Sequence, residues 1–181
     1  MSMSTFTPRN TETLLDIAAD VIRLLKSACA TVGVAESLTA GGIMAALTSV
    51  PGASAAFRGG VVSYATPLKQ TLLNVDAALI AREGVIHADV VSQMAEGARK
   101  TTTYDDDLPT TWGIGTTGVA GPDKQDGKEV GTVYIGIAGP RGSKAFGPFN
   151  FPGSRERIRE ATVMEALARL REELMSAKQT C

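Results

Sequence analysis

The chain has 181 residues, which is enough for one domain with a proper core and too few for two ordinary domains. Its formal charge of −1 lacks the basic excess with which nucleic-acid-binding proteins neutralise phosphates, so we expect no nucleic-acid partner. Two cysteines and a single histidine exclude a disulfide framework, a Cys/His zinc site and any mechanism that needs several imidazoles.

The first residues form a polar segment without the basic and apolar pattern of a secretory leader. We therefore expect residues 1–10 to be a flexible arm and residues 11–181 to be one domain. No apolar run approaches the roughly 18 residues that a membrane-spanning helix needs. These features predict a cytoplasmic protein with no membrane association.

Hydrophobic spacing predicts an α/β domain, in which helices cover a mixed sheet of about five to six strands in three layers. Strands are expected at residues 31–36, 60–65, 111–117, 130–138 and 144–151, the last two as an antiparallel hairpin. Helices are expected at residues 14–30, 43–48, 68–73, 77–82, 88–100 and 155–177. Thr66 is a candidate cap, followed by Pro67 at the first helical position.

Ser37 is the first candidate for chemistry. It leaves a predicted strand just before the Gly41-Gly42 pair and a helix start, where unpaired backbone N–H groups can bind an oxyanion or a phosphate. The segment has neither the Lys of a P-loop nor the pattern G-x-S-x-G. The alternative is that Ser37 and Thr39 cap the following helix. The residues alone leave both interpretations open.

A nucleophilic serine needs a base, and the candidates are few. His87 stands at the start of a predicted helix, where a polar side chain usually satisfies backbone donors. Lys69 follows Tyr64 by five residues and lies in the first turn of the helix that Pro67 opens. If the two strands are parallel, Ser37 and Tyr64 emerge at the same edge of the sheet, where α/β proteins bind ligands. A solvated surface lysine is the alternative.

The run Gly113-Ile-Gly-Thr-Thr-Gly118 matches G-x-G-x-x-G, but it is strand-like where the dinucleotide fingerprint needs a helix start. We expect either a strand end and glycine-rich loop near a ligand or a tight turn. The acidic residues Asp105–Asp107, Asp123 and Asp126 lack calcium-loop spacing and are expected to be solvated. Ser154 is the expected cap of the last helix, and Arg155 could meet a phosphate or form a surface ion pair.

Six stretches in order together resemble the C-terminal domain of the competence/damage-inducible protein CinA, in its stand-alone form, the nicotinamide mononucleotide (NMN) amidohydrolases. They are Val34-Ala-Glu-Ser-Leu-Thr-Ala-Gly-Gly42, Gly59-Gly-Val-Val-Ser-Tyr64 with Lys69, Gly84-Val-Ile86, Thr117-Gly-Val-Ala-Gly-Pro-Asp123, Val130-Gly-Thr-Val133 and Phe151-Pro-Gly-Ser-Arg155. They span about residues 12–175. The chain departs from the family pattern in the loop Pro122–Glu129 and at Ser154, where Asp is usual.

The resemblance implies hydrolysis of the carboxamide of NMN to nicotinate mononucleotide and ammonia, in pyridine-nucleotide salvage, with no metal and no other cofactor. By motif match Ser37 is the nucleophile, Lys69 its base and Tyr64 a partner that positions or polarises. We expect backbone N–H groups near Thr39–Gly42 or Gly118 to bind the oxyanion. The candidate substrate-binding residues are Thr39, Gly41, Gly42, Thr117, Gly118, Ala120, Gly121 and Arg155.

Two other functions remain open at this stage. One is a non-catalytic nucleotide-binding domain, and the other is a protein-interaction domain linked to competence or the DNA damage response. The family resemblance also implies a homo-oligomer, a dimer or larger.

Overall fold

The computed structural model describes residues 11–178, in which five strands form one mixed sheet. The strands are β1 (Val32–Glu36), β2 (Phe57–Val62), β3 (Trp112–Gly118), β4 (Thr132–Gly139) and β5 (Gly142–Asn150). Their order is β2-β1-β3-β4-β5. The first three are parallel, and β4 runs antiparallel to both β3 and β5. The predicted mixed sheet and hairpin are confirmed, while the predicted arm at residues 1–10 lies outside the described residues.

Six α-helices lie in this part of the chain. They are α1 (Leu14–Ser27), α2 (Gly42–Thr48), α3 (Thr66–Thr71), α4 (Ala77–Glu83), α5 (Ala88–Thr101) and α6 (Arg155–Lys178). A capping box between Thr13 and Asp16 begins α1, and Ser154 Oγ accepts the Arg157 N–H at the start of α6. Thr66 is not the cap of α3, because Ala65 occupies that position and no side chain caps the helix. Every helix in residues 11–178 is too short or too polar to cross a membrane.

Two apolar cores cover the two faces of the sheet, as the predicted three-layer arrangement requires. On one face α1, α2 and α6 pack together against the strands, with Ile17, Leu47 and Leu167 fully buried. On the other face lie α4 and α5, with Leu79 and Met94 in the core. The parallel strands β1 and β3 are buried along nearly their whole length, as expected for strands covered on both faces.

The strand β2 lies three residues earlier than the predicted 60–65. It pairs with β1 from Phe57 to Val62, and the Ser63 N–H extends the ladder by donating to the Glu36 carbonyl at 2.8 Å. The Gly59-Gly60 pair obscures the start of the strand in the sequence, because glycine is rare in strand interiors. Here Gly60 is needed for close approach, since a Cβ at this position would stand 2.3 Å from the Val34 carbonyl oxygen.

The G-x-G-x-x-G run is the strand β3 itself and the strand ends at Gly118, so the alternative of a tight turn is wrong. Its first two glycines let α5 approach the sheet. A Cβ on Gly113 would stand 2.0 Å from the Ala95 carbonyl oxygen, and one on Gly115 would stand 2.7 Å from that of Val91. Gly113 and Gly115 of this motif therefore allow α5 to pack closely on the sheet.

Gly113→Ala is expected to destabilise the fold. The added methyl group meets helix backbone, which cannot rotate away, so α5 must move. Overpacking of this kind costs about 1–3 kcal/mol. Urea denaturation of both proteins measures the difference. An unchanged free energy of unfolding would contradict this account of the glycine motif.

Candidate active site

Ser37 begins a tight turn between β1 and α2, and Glu36 organises that turn. The Glu36 side chain is fully buried. Its carboxylate accepts three backbone N–H groups, from Gly41 at 2.9 Å, Ile43 at 3.2 Å and Met44 at 2.9 Å. The interpretation of Ser37 and Thr39 as helix caps is therefore wrong: Gly41 is the N-cap residue, with a φ of +96°, and the acid before the turn does the capping.

Two threonine hydroxyls hold the turn against β3. Thr39 Oγ1 and Thr116 Oγ1 are 2.9 Å apart and both residues are buried. Thr116 Oγ1 also accepts the Ser37 N–H at 3.4 Å. The hydroxyl of Thr39 is therefore engaged inside the fold.

Lys69 reaches Ser37 from the next strand–helix unit. The parallel pairing of β1 and β2 brings Ser37 and the chain after β2 to the same edge of the sheet. Lys69 Nζ lies 3.2 Å from Ser37 Oγ, and it donates to the Ser63 carbonyl oxygen at 2.6 Å. The lysine is 1% exposed, so the alternative of a solvated surface charge is wrong.

Burial lowers the pKa of Lys69 to about 8, because removal from water destabilises the charged ammonium more than the neutral amine. At pH 7 roughly a tenth of the molecules then carry a neutral amine. A neutral amine within hydrogen-bond distance of a serine hydroxyl can accept its proton. The pair has the geometry and the protonation equilibrium of a nucleophile and its base.

This pKa shift predicts a pH dependence of stability. Between pH 8 and 10 the unfolded chain holds a proton on Lys69 that the folded chain has released, so the folded state gains stability as the pH rises. We expect the free energy of unfolding of the wild type, minus that of Lys69→Met, to rise by at most about 1.4 kcal/mol per pH unit. Lys100→Met, which removes an exposed lysine of α5, controls for the loss of a lysine. A difference that stays flat over this range would contradict a buried, titrating Lys69.

A polar pocket of about 230 Å³ opens above the Ser37–Lys69 pair. At its mouth Arg155, at the start of α6, joins two other segments of the chain. Arg155 Nη1 donates to the Gly121 carbonyl oxygen at 2.6 Å, and Nη2 donates to the Tyr64 hydroxyl at 2.8 Å. Tyr64 is thus paired with Arg155 at the rim.

Most of the predicted site residues line this pocket: Ser37, Tyr64, Lys69, Thr117, Gly118, Ala120, Gly121 and Arg155. Thr39, Gly41 and Gly42 do not line it. The Gly41 N–H donates to Glu36 and the Gly42 N–H to the Thr39 carbonyl oxygen, so these two donors are already used. Within residues 11–178 the N–H groups of Leu38 and Ala120 have no protein hydrogen-bond partner, and both residues line the pocket.

His87 lies outside the pocket and caps α5, its Nδ1 accepting the Asp89 N–H at 3.2 Å. The prediction that it is a helix-start residue is confirmed. Asp105–Asp107 are exposed, as expected. Nowhere in residues 11–178 do three or more His, Cys, Asp or Glu side chains cluster as metal ligands would.

The sequence profile of the CinA C-terminal domain matches residues 14–174, nearly the whole of the described chain. The chain belongs to the CinA C-terminal domain family. It is 48% identical over 147 residues to a CinA-like protein of Frankia casuarinae, covering 81% of this chain and 32% of that protein. It is 43% identical over 162 residues to a CinA-like protein of Parasynechococcus marenigrum, covering 88% of this chain and 37% of that protein. The chain thus spans about a third of the length of these relatives.

Solved structures of the CinA superfamily share the fold. A superfamily protein from Klebsiella pneumoniae superposes with a TM-score of 0.84 at 25% identity, over 91% of this chain and 99% of that one. The competence/damage inducible protein CihA from Agrobacterium tumefaciens gives 0.79 at 29% identity, over 93% and 97% of the two chains. The α/β fold expected from the resemblance is therefore confirmed.

The variant loop of this CinA C-terminal domain contributes more than the sequence indicated. Asp123, which was expected only to be solvated, is exposed and lines the pocket together with Gln125. Asp126 anchors that loop, because its carboxylate accepts the Val85 N–H at 2.8 Å, while the Val85 carbonyl accepts the Thr117 hydroxyl at 2.7 Å. The turn signal Gln-Asp-Gly127 marks a loop but carries no sign of which segment the loop contacts.

Proposed function

We propose that this CinA C-terminal domain is an amidohydrolase that converts NMN to nicotinate mononucleotide and ammonia through a Ser–Lys pair. The observation that carries the proposal is the 3.2 Å separation of Lys69 Nζ and Ser37 Oγ, with the pKa of Lys69 at about 8. The family resemblance supplies the substrate. The pocket's polar walls suit a ligand with a sugar and a phosphate more than an apolar one.

In the proposed acylation step, neutral Lys69 takes the proton of the Ser37 hydroxyl as Oγ attacks the carboxamide carbon. Collapse of the tetrahedral intermediate breaks the C–N bond, and the Lys69 ammonium returns its proton to the leaving nitrogen, which departs as ammonia. The unpaired N–H groups of Leu38 and Ala120 are the candidates for stabilising the oxyanion.

In the deacylation step, Lys69 takes a proton from water as the water oxygen attacks the ester carbon. The C–Oγ bond then breaks, the proton passes to Ser37 Oγ, and nicotinate mononucleotide is released. Lys69 and Ser37 return to their starting states, so the cycle consumes one water and needs no metal or redox partner.

The phosphate of the nucleotide requires a cationic or amide-rich contact. Arg155 stands at the mouth, and both of its described contacts are to neutral oxygen atoms. A guanidinium whose partners are neutral can still bind an anion by donating two parallel hydrogen bonds to it. Thr117 and the glycine-rich backbone after β3 supply further donors. We place the 5′-phosphate near Arg155 and the carboxamide at Ser37.

The direct test is to incubate the purified chain with NMN and to measure ammonia together with nicotinate mononucleotide. Added hydroxylamine is expected to divert part of the product to the hydroxamate, because an acyl-enzyme can be intercepted by a second nucleophile. Binding of NMN without release of ammonia would instead favour a non-catalytic nucleotide-binding domain. The absence of both binding and turnover would favour the protein-interaction role.

A further inference from the structure

The turn that carries Ser37 is held from two sides by side chains of opposite charge. On one side the Glu36 carboxylate collects three N–H groups of the turn and of the first residues of α2. On the other side Arg159, one turn into α6, collects carbonyl groups. Arg159 Nε donates to the Leu38 oxygen at 2.9 Å, and Nη2 donates to the Thr39 oxygen at 3.3 Å.

Arg159 has no ion-pair partner among the described residues, and its hydrogen bonds go to this turn. It is partly buried between α6 and the turn. A cation in such a place is stabilised by the carbonyl dipoles it contacts, so its hydrogen bonds are charge-assisted and stronger than neutral ones. The arrangement ties the nucleophile to a helix more than a hundred residues away in sequence.

The contact also fixes the direction of the neighbouring peptide groups. A trans peptide is planar, so holding the Leu38 carbonyl toward Arg159 aims the Thr39 N–H the opposite way. The Ser37 carbonyl accepts the Ala40 N–H at 3.1 Å, which closes the turn. Ala40 has a φ of +49°, and a residue other than glycine adopts this region only when its surroundings hold it there.

We propose that Arg159 is a positioning residue for the Ser37 nucleophile. It holds the turn so that Ser37 Oγ stays within hydrogen-bond distance of Lys69. Arg159 is not one of the residues that line the pocket, so it acts through the turn and not on the substrate. The inference rests on the proposed function for its kinetic readout.

For Arg159→Ala we expect kcat for NMN hydrolysis to fall by about 10- to 100-fold, since a nucleophile displaced by a fraction of an ångström to an ångström loses that much. KM is expected to change little, and the midpoint of the pH profile is expected to stay near the pKa of Lys69, whose burial is untouched. Arg159→Lys, which retains one donor group toward the carbonyls, is expected to recover part of the loss. A raised KM at unchanged kcat, or a shifted pH midpoint, would overturn the assignment.

Arg157→Ala is the matched control, because Arg157 is exposed on the same helix and its side chain makes no hydrogen bond among the described residues. It removes the same charge and is expected to retain wild-type kcat. If Arg157→Ala lowers kcat as much as Arg159→Ala does, the effect is one of net charge and the proposal fails. Thermal melting identifies variants that have lost the fold.

A second readout separates this inference from the substrate assignment. A fluorophosphonate that phosphonylates activated serines reports on the Ser37 nucleophile whatever its natural substrate is. Mass spectrometry identifies Ser37 as the labelled residue. We expect Arg159→Ala to be labelled more slowly than the wild type, by a factor of about 10 or more. Labelled wild type without NMN turnover would refute the NMN proposal and leave this inference testable. Equal labelling rates, or no labelling of Ser37 in the wild type, would overturn it.

Discussion

Ser37→Ala is expected to abolish the release of ammonia from NMN, with a loss in kcat of about 10⁴-fold or more. The variant removes the oxygen that forms the acyl-enzyme, and in serine hydrolases such a loss leaves only the residual effect of binding and oxyanion stabilisation. The fold is expected to survive, because the turn is held by Glu36, Thr116 and Arg159 and not by the serine hydroxyl. Steady-state ammonia release and thermal melting measure the two effects.

Ser49→Ala provides the control for this variant. Ser49 is an exposed serine at the end of α2, and its hydroxyl donates to the Ala46 carbonyl oxygen away from the pocket. It is expected to hydrolyse NMN at the wild-type rate. Ammonia release from Ser37→Ala at more than a few per cent of the wild-type rate would mean that water attacks the amide directly, and the covalent mechanism would be wrong.

Lys69→Met is expected to lower kcat/KM for NMN by about 10²- to 10⁴-fold, the usual range for removal of a general base. Methionine has a similar length and no basic nitrogen. In the wild type, kcat/KM should rise with pH and level off above about 8, because the active form of Lys69 is the neutral amine and its pKa lies there. In Lys69→Met that rise should disappear from the residual activity.

The pH profile is the more decisive part of this second experiment. Replacing a lysine with a purely structural role would also reduce activity, but the rise of kcat/KM near pH 8 would remain. Retention of the same rise in Lys69→Met would assign the titration to another group and remove Lys69 as the base. Lys100→Met, on the exposed face of α5, controls for the loss of a lysine charge and should keep both the rate and the profile.

The fold could be predicted from the sequence where hydrophobic spacing was regular. The stripe of α5 and the hairpin of β4 and β5 follow directly from period and turn residues. The strand β2 was predicted three residues too late because its Gly59-Gly60 pair lowers strand propensity. Only the packing shows why position 60 is a glycine: Gly60 lies against the Val34 carbonyl. Local propensity cannot report a contact between two strands.

The candidate site was predictable in its chemistry and less so in its supports. Ser37 and Lys69 could be named because motif and topology converge on them. Glu36 was missed because it caps α2 from five residues before the N-cap residue Gly41, outside the usual position of a capping side chain. Arg159 was missed because an arginine in an amphipathic helix looks like any solvated charge until the fold places it against the turn.

The division of the pocket between two parts of the chain has a consequence for how selectivity can evolve. Ser37 and Lys69 come from two successive parallel strand–helix units, whereas Asp123 and Gln125 come from the connection between β3 and β4. That connection is fastened by Asp126 to Val85 and by Arg155 to Gly121, and neither attachment passes through the reacting pair. Substitutions in residues 122–129 that spare Asp126 can therefore change the lining of the pocket, and with it ligand preference, without disturbing the contact between Lys69 and Ser37.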